Sequence, residues 1–153
     1  MAGKGKVLLM DDEQIIIDVT HEVLRFLGYD VLYAKDGAAA LELYKKEKSA
    51  GVPFDVVILD LSVPDGMGGK ETIELLKLFD PSVKAIVSSG YSNDPVVQDF
   101  EQYGFAGFIR KVDILEFDCS LDGTDGNGAA RIAILGPLVQ HFAGAVESGE
   151  RLR

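Results

Sequence analysis

The chain has 153 residues, which is enough for one ordinary domain and too few for two. Its net charge of −10 argues against nonspecific binding to nucleic acids or anionic membranes, and a hydrophobic content of 47% provides for a sizeable core. No apolar run approaches the length of a membrane span, and the N-terminus lacks the apolar core of a signal peptide. We therefore expect a soluble cytoplasmic protein.

Five short apolar runs alternate with segments of helical periodicity. The predicted strands are Lys6–Met10, Asp30–Ala34, Phe54–Asp60, Val83–Ser89 and Phe105–Lys111. The predicted helices between them span Gln14–Leu27, 37–48, Lys70–Phe79 and 95–103. Alternation of this kind predicts an α/β fold, in which a doubly wound, five-stranded parallel sheet is covered by helices.

This regular pattern ends at Lys111. Residues 122–128 are rich in Asp, Gly and Asn and predict a loop, and an apolar stripe predicts a helix at 129–146. We therefore divide the chain into a core of residues 4–111 and an atypical C-terminal segment, 112–153. For that segment we consider a remodelled final helix, an arm exchanged between two subunits of a homodimer, and a reading-frame change in the gene.

Asp60 occupies a distinctive place in the pattern. It follows the aliphatic run Val56–Leu59, whose lack of polar alternation indicates a strand buried on both faces. Ligands of open α/β sheets bind at the carboxyl ends of such strands. Our main hypothesis is that Asp60 is a nucleophile or phosphoryl acceptor, and the alternative is an Asp that only caps the next turn.

Polar side chains also follow other predicted strands. They are Asp11 and Asp12 after the first strand, Ser88 and Ser89 at the end of the fourth, and Lys111 at the end of the fifth. In the flavodoxin-like order 2-1-3-4-5 these strand ends are neighbours at one crevice. Three carboxylates there require compensation, which Mg²⁺ supplies, and a hydroxyl and an ammonium group suit a bound phosphoryl group. The arrangement predicts phosphoryl transfer onto Asp60. The glycines of 66–69 lack the ending of a phosphate-binding loop, so we expect a plain loop there.

With these residues, the segment from Lys6 to Lys111 resembles the receiver domain of two-component response regulators, the CheY-like fold. The resemblance rests on Asp11-Asp12, on Asp60, on the pair Ser89-Gly90 and on Lys111. The stretch Lys84–Ser92 is similar to receivers attached to hybrid sensor histidine kinases.

The resemblance implies a role for each matching residue. Asp60 would accept the phosphoryl group, and the Mg²⁺ ligands would be Asp11 (mainly through water), Asp12, Asp60 and the backbone carbonyl of Ser62. Lys111 would pair with the phosphoryl oxygens. Ser89 would swing in to hydrogen-bond them, and Phe108 would follow it inward as the second switch residue. Ser88 competes with Ser89 for the switch role, and we prefer Ser89 because the small Gly90 follows it.

One departure from the family pattern follows Lys111, where receivers usually have a proline after a cis peptide bond. Here the residue is Val112. A cis bond before a residue other than proline costs roughly 3 kcal/mol, so we expect a trans bond.

The resemblance implies a regulatory phosphoacceptor rather than an enzyme, one that assists its own phosphotransfer and autodephosphorylation. Its expected partners are a histidine kinase or histidine phosphotransfer protein and a downstream protein target, with neither nucleic acid nor membrane. The alternatives are a phosphorylation-independent pseudo-receiver that acts as an interaction or dimerisation scaffold, and a haloacid-dehalogenase-like phosphatase. The latter is disfavoured because Ser62 stands where that family has a second Asp.

Overall fold

The computed structural model describes residues 5–90, 93–112 and 114. Five parallel strands form one sheet in the order β2-β1-β3-β4-β5. The strands are β1 (Gly5–Met10), β2 (Tyr29–Ala34), β3 (Val56–Asp60), β4 (Ala85–Ser89) and β5 (Gly107–Arg110). The helices are α1 (Gln14–Phe26), α2 (Gly37–Ser49), α3 (Gly69–Phe79) and α4 (Pro95–Gln98). The predicted α/β fold and its strand order are confirmed.

The sheet is buried on both faces, as the uninterrupted aliphatic runs predict. Alternate residues of the strands point to opposite sides and build two core layers. The α1-side core includes Val7, Leu9, Ile17, Leu24, Ile58, Ile86, Ile109 and Ile114. The α3-side core includes Leu8, Met10, Tyr44, Leu59, Ile73, Leu76 and Val87. This alternation decides which side chains of the strand ends share a face of the sheet.

The fourth helix is shorter than predicted. It is a single turn, Pro95–Gln98, because the backbone of Asp99 leaves the helical region at φ −114° and ψ 40°. Three consecutive i→i+3 hydrogen bonds then carry the chain from Asp99 to Gly104. Two β-branched valines directly after Pro95 are weak helix formers, which accounts for the early end.

Asp80, at the end of α3, ties α2 to the loop before β4. Its side chain accepts hydrogen bonds from Tyr44 Oη at 2.6 Å, Lys48 Nζ at 2.7 Å and Ser82 Oγ at 2.7 Å. Burial alone would raise the pKa of Asp80, but these donors outweigh it and hold the pKa well below its usual range. The network fixes the framework at the opposite end of the sheet from Asp60.

Directly after β5, Lys111, Val112 and Ile114 are helical. The predicted loop at 122–128 and helix at 129–146 lie outside the described residues. Among the described helices, none has both the length and the apolar composition that crossing a bilayer requires.

Candidate functional site

The carboxyl ends of β1, β3 and β5 bring acids and a lysine together. Asp11 directly follows β1, Asp60 is the last residue of β3, and Lys111 directly follows β5. The parallel direction of the strands places all three at one edge of the sheet. The edge includes the point where the strand order reverses, which is where open α/β sheets bind ligands.

Lys111 is the cationic centre of this group. Its Nζ lies 3.2 Å from Oδ2 of Asp11, 3.2 Å from Oδ2 of Asp60 and 3.2 Å from Oε1 of Glu13. The described residues contain no cis peptide bond, so the bond from Lys111 to Val112 is trans. The lysine therefore reaches Asp60 without the proline that receivers usually carry at the next position.

The site holds an excess of buried negative charge. Asp11 and Asp60 are each only 1% exposed, and one ammonium group faces both. Burial raises the pKa of Asp60, the Asp11 carboxylate raises it further, and Lys111 opposes them, so that the pKa is about 7. Burial alone would lower the pKa of Lys111, but the Asp60 and Asp11 carboxylates outweigh it and raise that pKa above its ordinary value. A cation bound beside these acids would relieve the excess.

Three carboxylates are arranged so that a metal ion could bind between them. Single carboxylate oxygens of Asp11, Asp12 and Asp60 all lie within 4.8 Å of one another. Oδ2 of Asp60 is buried and makes no hydrogen bond within the described part of the chain. Ser62 is adjacent, since its backbone N–H donates to Oδ1 of Asp60 at 3.3 Å. Carboxylate oxygens clustered in this way fit a hard divalent cation such as Mg²⁺.

Gly69 lets α3 begin directly against the acidic site. A Cβ atom at Gly69 would lie 2.8 Å from the carbonyl oxygen of Asp60, and one at Gly68 would lie 2.6 Å from that of Leu61. The loop before α3 is held further by Thr72, whose Oγ1 donates to the Gly68 carbonyl at 2.7 Å. In the 66–69 segment, these close contacts are made by Gly68 and Gly69. Its glycines permit a close backbone approach that helps to fix Asp60.

The two serines that end β4 lie on opposite sides of the sheet. Ser88 is the register partner of Asp60, and alternation places both on the α1 side, beyond Ile86. Ser89 lies on the α3 side with Val87, which is the register partner of Phe108. Of the two, Ser89 therefore shares a face of the sheet with Phe108.

Phe108 is partly buried on the α3 side. Its ring packs against that of Phe100, with 5.7 Å between the ring centroids, so β5 contacts the turns that follow α4. Ser89 and Phe108 are on one face of neighbouring strands, as the predicted pair of switch residues requires.

Sequence reasoning did not single out Glu13 as a site residue. The structure places its carboxylate against Lys111, where it gives the ammonium group a third acidic neighbour. The helix start also orients Asp11, because the Glu13 backbone N–H donates to Oδ1 of Asp11 at 2.9 Å. The signal available in the sequence was the third acid in the run Asp11–Glu13.

Comparisons with known proteins found matches that span most of the described residues. The family profile "Response regulator receiver domain" matches residues 7–117. The chain is 30% identical over 112 residues to sporulation initiation phosphotransferase F of Bacillus subtilis, a match covering 72% of this chain and 86% of that protein. It is also 30% identical over 111 residues to the sensor kinase CckA of Brucella abortus, covering 72% of this chain but 11% of the kinase.

Solved structures show the same fold at lower identity. A response regulator receiver domain protein from Clostridium thermocellum matches with a TM-score of 0.69 and 21% identity, covering 97% of this chain and 99% of that one. A chain of the CheX–CheY–BeF3–Mg²⁺ complex from Borrelia burgdorferi matches with a TM-score of 0.63 and 23% identity, covering 78% of this chain and 90% of that one. Because the profile covers most of the chain and a relative matched over 86% of its length is 30% identical, the chain belongs to the response regulator receiver family, the phosphoacceptor domains of two-component systems.

Proposed function

We propose that this protein accepts a phosphoryl group on Asp60 from a histidine kinase or a histidine phosphotransfer protein. The observation that carries the proposal is the buried Asp60 carboxylate, which lies 3.2 Å from Lys111 Nζ and within 4.8 Å of two further acids. A structural Asp that only capped a turn would require neither the lysine nor the additional acids. Family membership supports the same assignment.

The transfer is a displacement at phosphorus. A carboxylate oxygen of Asp60 forms a bond to the phosphorus, while the bond from phosphorus to the donor's imidazole nitrogen breaks and the imidazole leaves with the electron pair. Lys111 would pair with the phosphoryl oxygens, and the distance of 3.2 Å from its Nζ to Oδ2 of Asp60 supports this role. Autodephosphorylation would be the same kind of displacement. A water oxygen forms a bond to phosphorus, the bond from phosphorus to the Asp60 oxygen breaks, and the water protons leave with inorganic phosphate while Asp60 regains its carboxylate.

The acids suit Mg²⁺, which we propose as the cofactor. Asp12 and Asp60 would bind it directly, Asp11 mainly through water, and the Ser62 backbone carbonyl would be a further ligand. When bound, Mg²⁺ neutralises charge on the carboxylates and on the phosphoryl oxygens. Burial and the Asp11 carboxylate raise the pKa of Asp60. The charge of the ion would oppose both effects and favour the ionised carboxylate.

Exposed apolar residues next to the acidic site suggest where the phosphoryl donor binds. Ile15 and Val112 are exposed apolar residues, at 64% and 49%, and each follows closely on a residue of the acidic site. We propose that the phosphoryl donor docks over them. For the output we propose that Ser89 and Phe108 move together on phosphorylation and change the face formed by α4 and β5, which a downstream protein reads.

The complete set of acids and lysine gives no support to a phosphorylation-independent scaffold. Family membership likewise leaves the haloacid-dehalogenase-like phosphatase without support.

The test is phosphorylation by a small donor. The protein is incubated with Mg²⁺ and acetyl phosphate, and its intact mass is measured. We expect one added phosphoryl group in the wild type and none in Asp60→Asn. Asp65→Asn is the matched control, because it removes one exposed carboxylate from the following loop without touching the site. Labelling that persists in Asp60→Asn would refute the assignment of the acceptor.

A further inference from the structure

Ser88 carries a buried hydroxyl that has no role in the phosphoryl transfer proposed for this protein. The residue is 2% exposed, and its Oγ has no hydrogen-bond partner in the described part of the chain. The preceding residues of β4 at equivalent depth, Ile86 and Val87, are aliphatic and fully buried. A hydroxyl removed from water without a partner costs folding free energy, which an aliphatic residue at this strand position would avoid.

The residue beside it also has a buried oxygen for which no hydrogen bond is recorded within the described residues. Asp60 is the register partner of Ser88 on the adjacent strand, and both side chains leave the sheet on the α1 side. Oδ2 of Asp60 also makes no hydrogen bond, although Lys111 Nζ lies 3.2 Å from it as an ion-pair partner. Neighbouring strands of a sheet lie about 5 Å apart, so side chains of register partners on the same face are within reach of each other.

A rotation of the Ser88 side chain would allow a hydrogen bond between these two atoms. The Ser88 hydroxyl turns about a single side-chain torsion with three staggered positions. A carboxylate oxygen has capacity for more than one donor, so a bond from Ser88 does not displace Lys111. The hydrogen bond would have Ser88 Oγ as donor and Asp60 Oδ2 as acceptor.

We propose that Ser88 is a positioning residue for phosphoryl acceptance, which holds the Asp60 carboxylate in its reactive orientation through this hydrogen bond. The inference rests on the proposed role of Asp60 as the acceptor. It separates the two serines: Ser88 acts on the acceptor before transfer, whereas Ser89 lies on the opposite face with Phe108.

The proposal predicts a specific kinetic change. Ser88 is buried beside the acid and has no exposed surface for a donor to contact, so its loss should leave donor binding unchanged. Ser88→Ala should lower the maximal rate constant of phosphorylation by acetyl phosphate about three- to tenfold, the range of an ordinary hydrogen bond. The concentration of acetyl phosphate that gives half the maximal rate should not move.

Two further variants make the test specific. Ser88→Thr keeps the hydroxyl and suits a strand, so it should restore the wild-type rate constant to within about twofold. Thr20→Val is the matched control, because Thr20 on α1 is also buried with an unpartnered Oγ1 and the change keeps its shape. Its rate constant should equal that of the wild type, and thermal unfolding of all variants verifies that each is folded.

The outcomes distinguish this inference from the proposed function. Phosphorylated wild type with an equally fast Ser88→Ala would overturn the role of Ser88 and leave Asp60 as acceptor. A slow Ser88→Ala that Ser88→Thr does not rescue would also overturn it, since loss of the hydroxyl would not be the cause. Wild type that takes up no phosphoryl group would remove the proposed function and this inference together.

Discussion

Replacing Asp60 by asparagine should stabilise the metal-free protein above neutral pH. The site buries two carboxylates against one ammonium group, and the third carboxylate, Asp12, adds to the negative field at its rim. An asparagine of nearly the same shape removes one buried charge. The remaining ion pair between Lys111 and Asp11 is then balanced.

The pKa of Asp60 sets the size of the effect. Burial and the Asp11 carboxylate raise that pKa from 3.8 to about 7, in spite of Lys111. A tenfold change in proton affinity corresponds to about 1.4 kcal/mol, so ionised Asp60 lowers the free energy of unfolding by about 4 kcal/mol above pH 7. The penalty is absent well below pH 4, where Asp60 is protonated in both states, grows between the unfolded pKa of 3.8 and the folded pKa of about 7, and is complete above the folded pKa.

The assay is urea unfolding in the presence of a chelator, followed by circular dichroism. The free energy of unfolding of Asp60→Asn should exceed that of the wild type by about 4 kcal/mol at pH 8 and by about 1.5 kcal/mol at pH 5. The free energies of unfolding of the two proteins are compared at each pH, so that contributions from titratable groups present in both proteins cancel. Added Mg²⁺ should stabilise the wild type more than the variant and so narrow the difference at pH 8.

Asp12→Asn is the control, because the exposed Asp12 carboxylate stays solvated. Its free energy of unfolding should lie within about 0.5 kcal/mol of the wild type. An Asp60→Asn variant that is less stable than the wild type at pH 8 without metal would contradict the reasoning, since the charge of Asp60 would then be stabilising the fold.

Three further substitutions test the framework of the site. Lys111→Met leaves two buried carboxylates without their cation, so without metal it should lower the free energy of unfolding by about 3 kcal/mol in urea titrations, and Mg²⁺ should recover part of the loss. A variant as stable as the wild type would show that the ion pairs do not form. Gly69→Ala places a Cβ atom 2.8 Å from the Asp60 carbonyl oxygen, and should cost about 1 to 3 kcal/mol and slow labelling by acetyl phosphate. Unchanged stability and labelling would mean that the start of α3 is not in close contact with the Asp60 backbone. Tyr44→Phe removes one donor to Asp80 and should cost about 1.5 kcal/mol in thermal or urea unfolding without changing labelling; a change in labelling would indicate coupling between the two ends of the sheet.

The strands and their order could be predicted because each depends on a local pattern. Runs such as Val56–Leu59 are buried on both faces, and alternation with helices limits the topology to a parallel sheet. The convergence of Asp11, Asp60 and Lys111 followed from that topology, since parallel strands deliver their carboxyl ends to one edge.

Other features depend on contacts between distant residues, which a single sequence does not encode locally. The ion pair of Glu13 with Lys111 joins residues that are 98 positions apart. The close approach of Gly69 to the Asp60 carbonyl is likewise visible only once α3 is packed. The early end of α4 at Gln98 was missed because the apolar spacing of Val96, Phe100 and Tyr103 continues through turns that are not helical.

The most direct test of the account is the position of the phosphoryl group. Protein phosphorylated with acetyl phosphate is reduced with borohydride, which converts an aspartyl phosphate to homoserine, and the peptides are mapped by mass spectrometry. The account predicts homoserine at position 60, only when Mg²⁺ is present, and at reduced yield in Lys111→Met. Homoserine at another acidic position, or at position 60 in equal yield with a chelator, would contradict it.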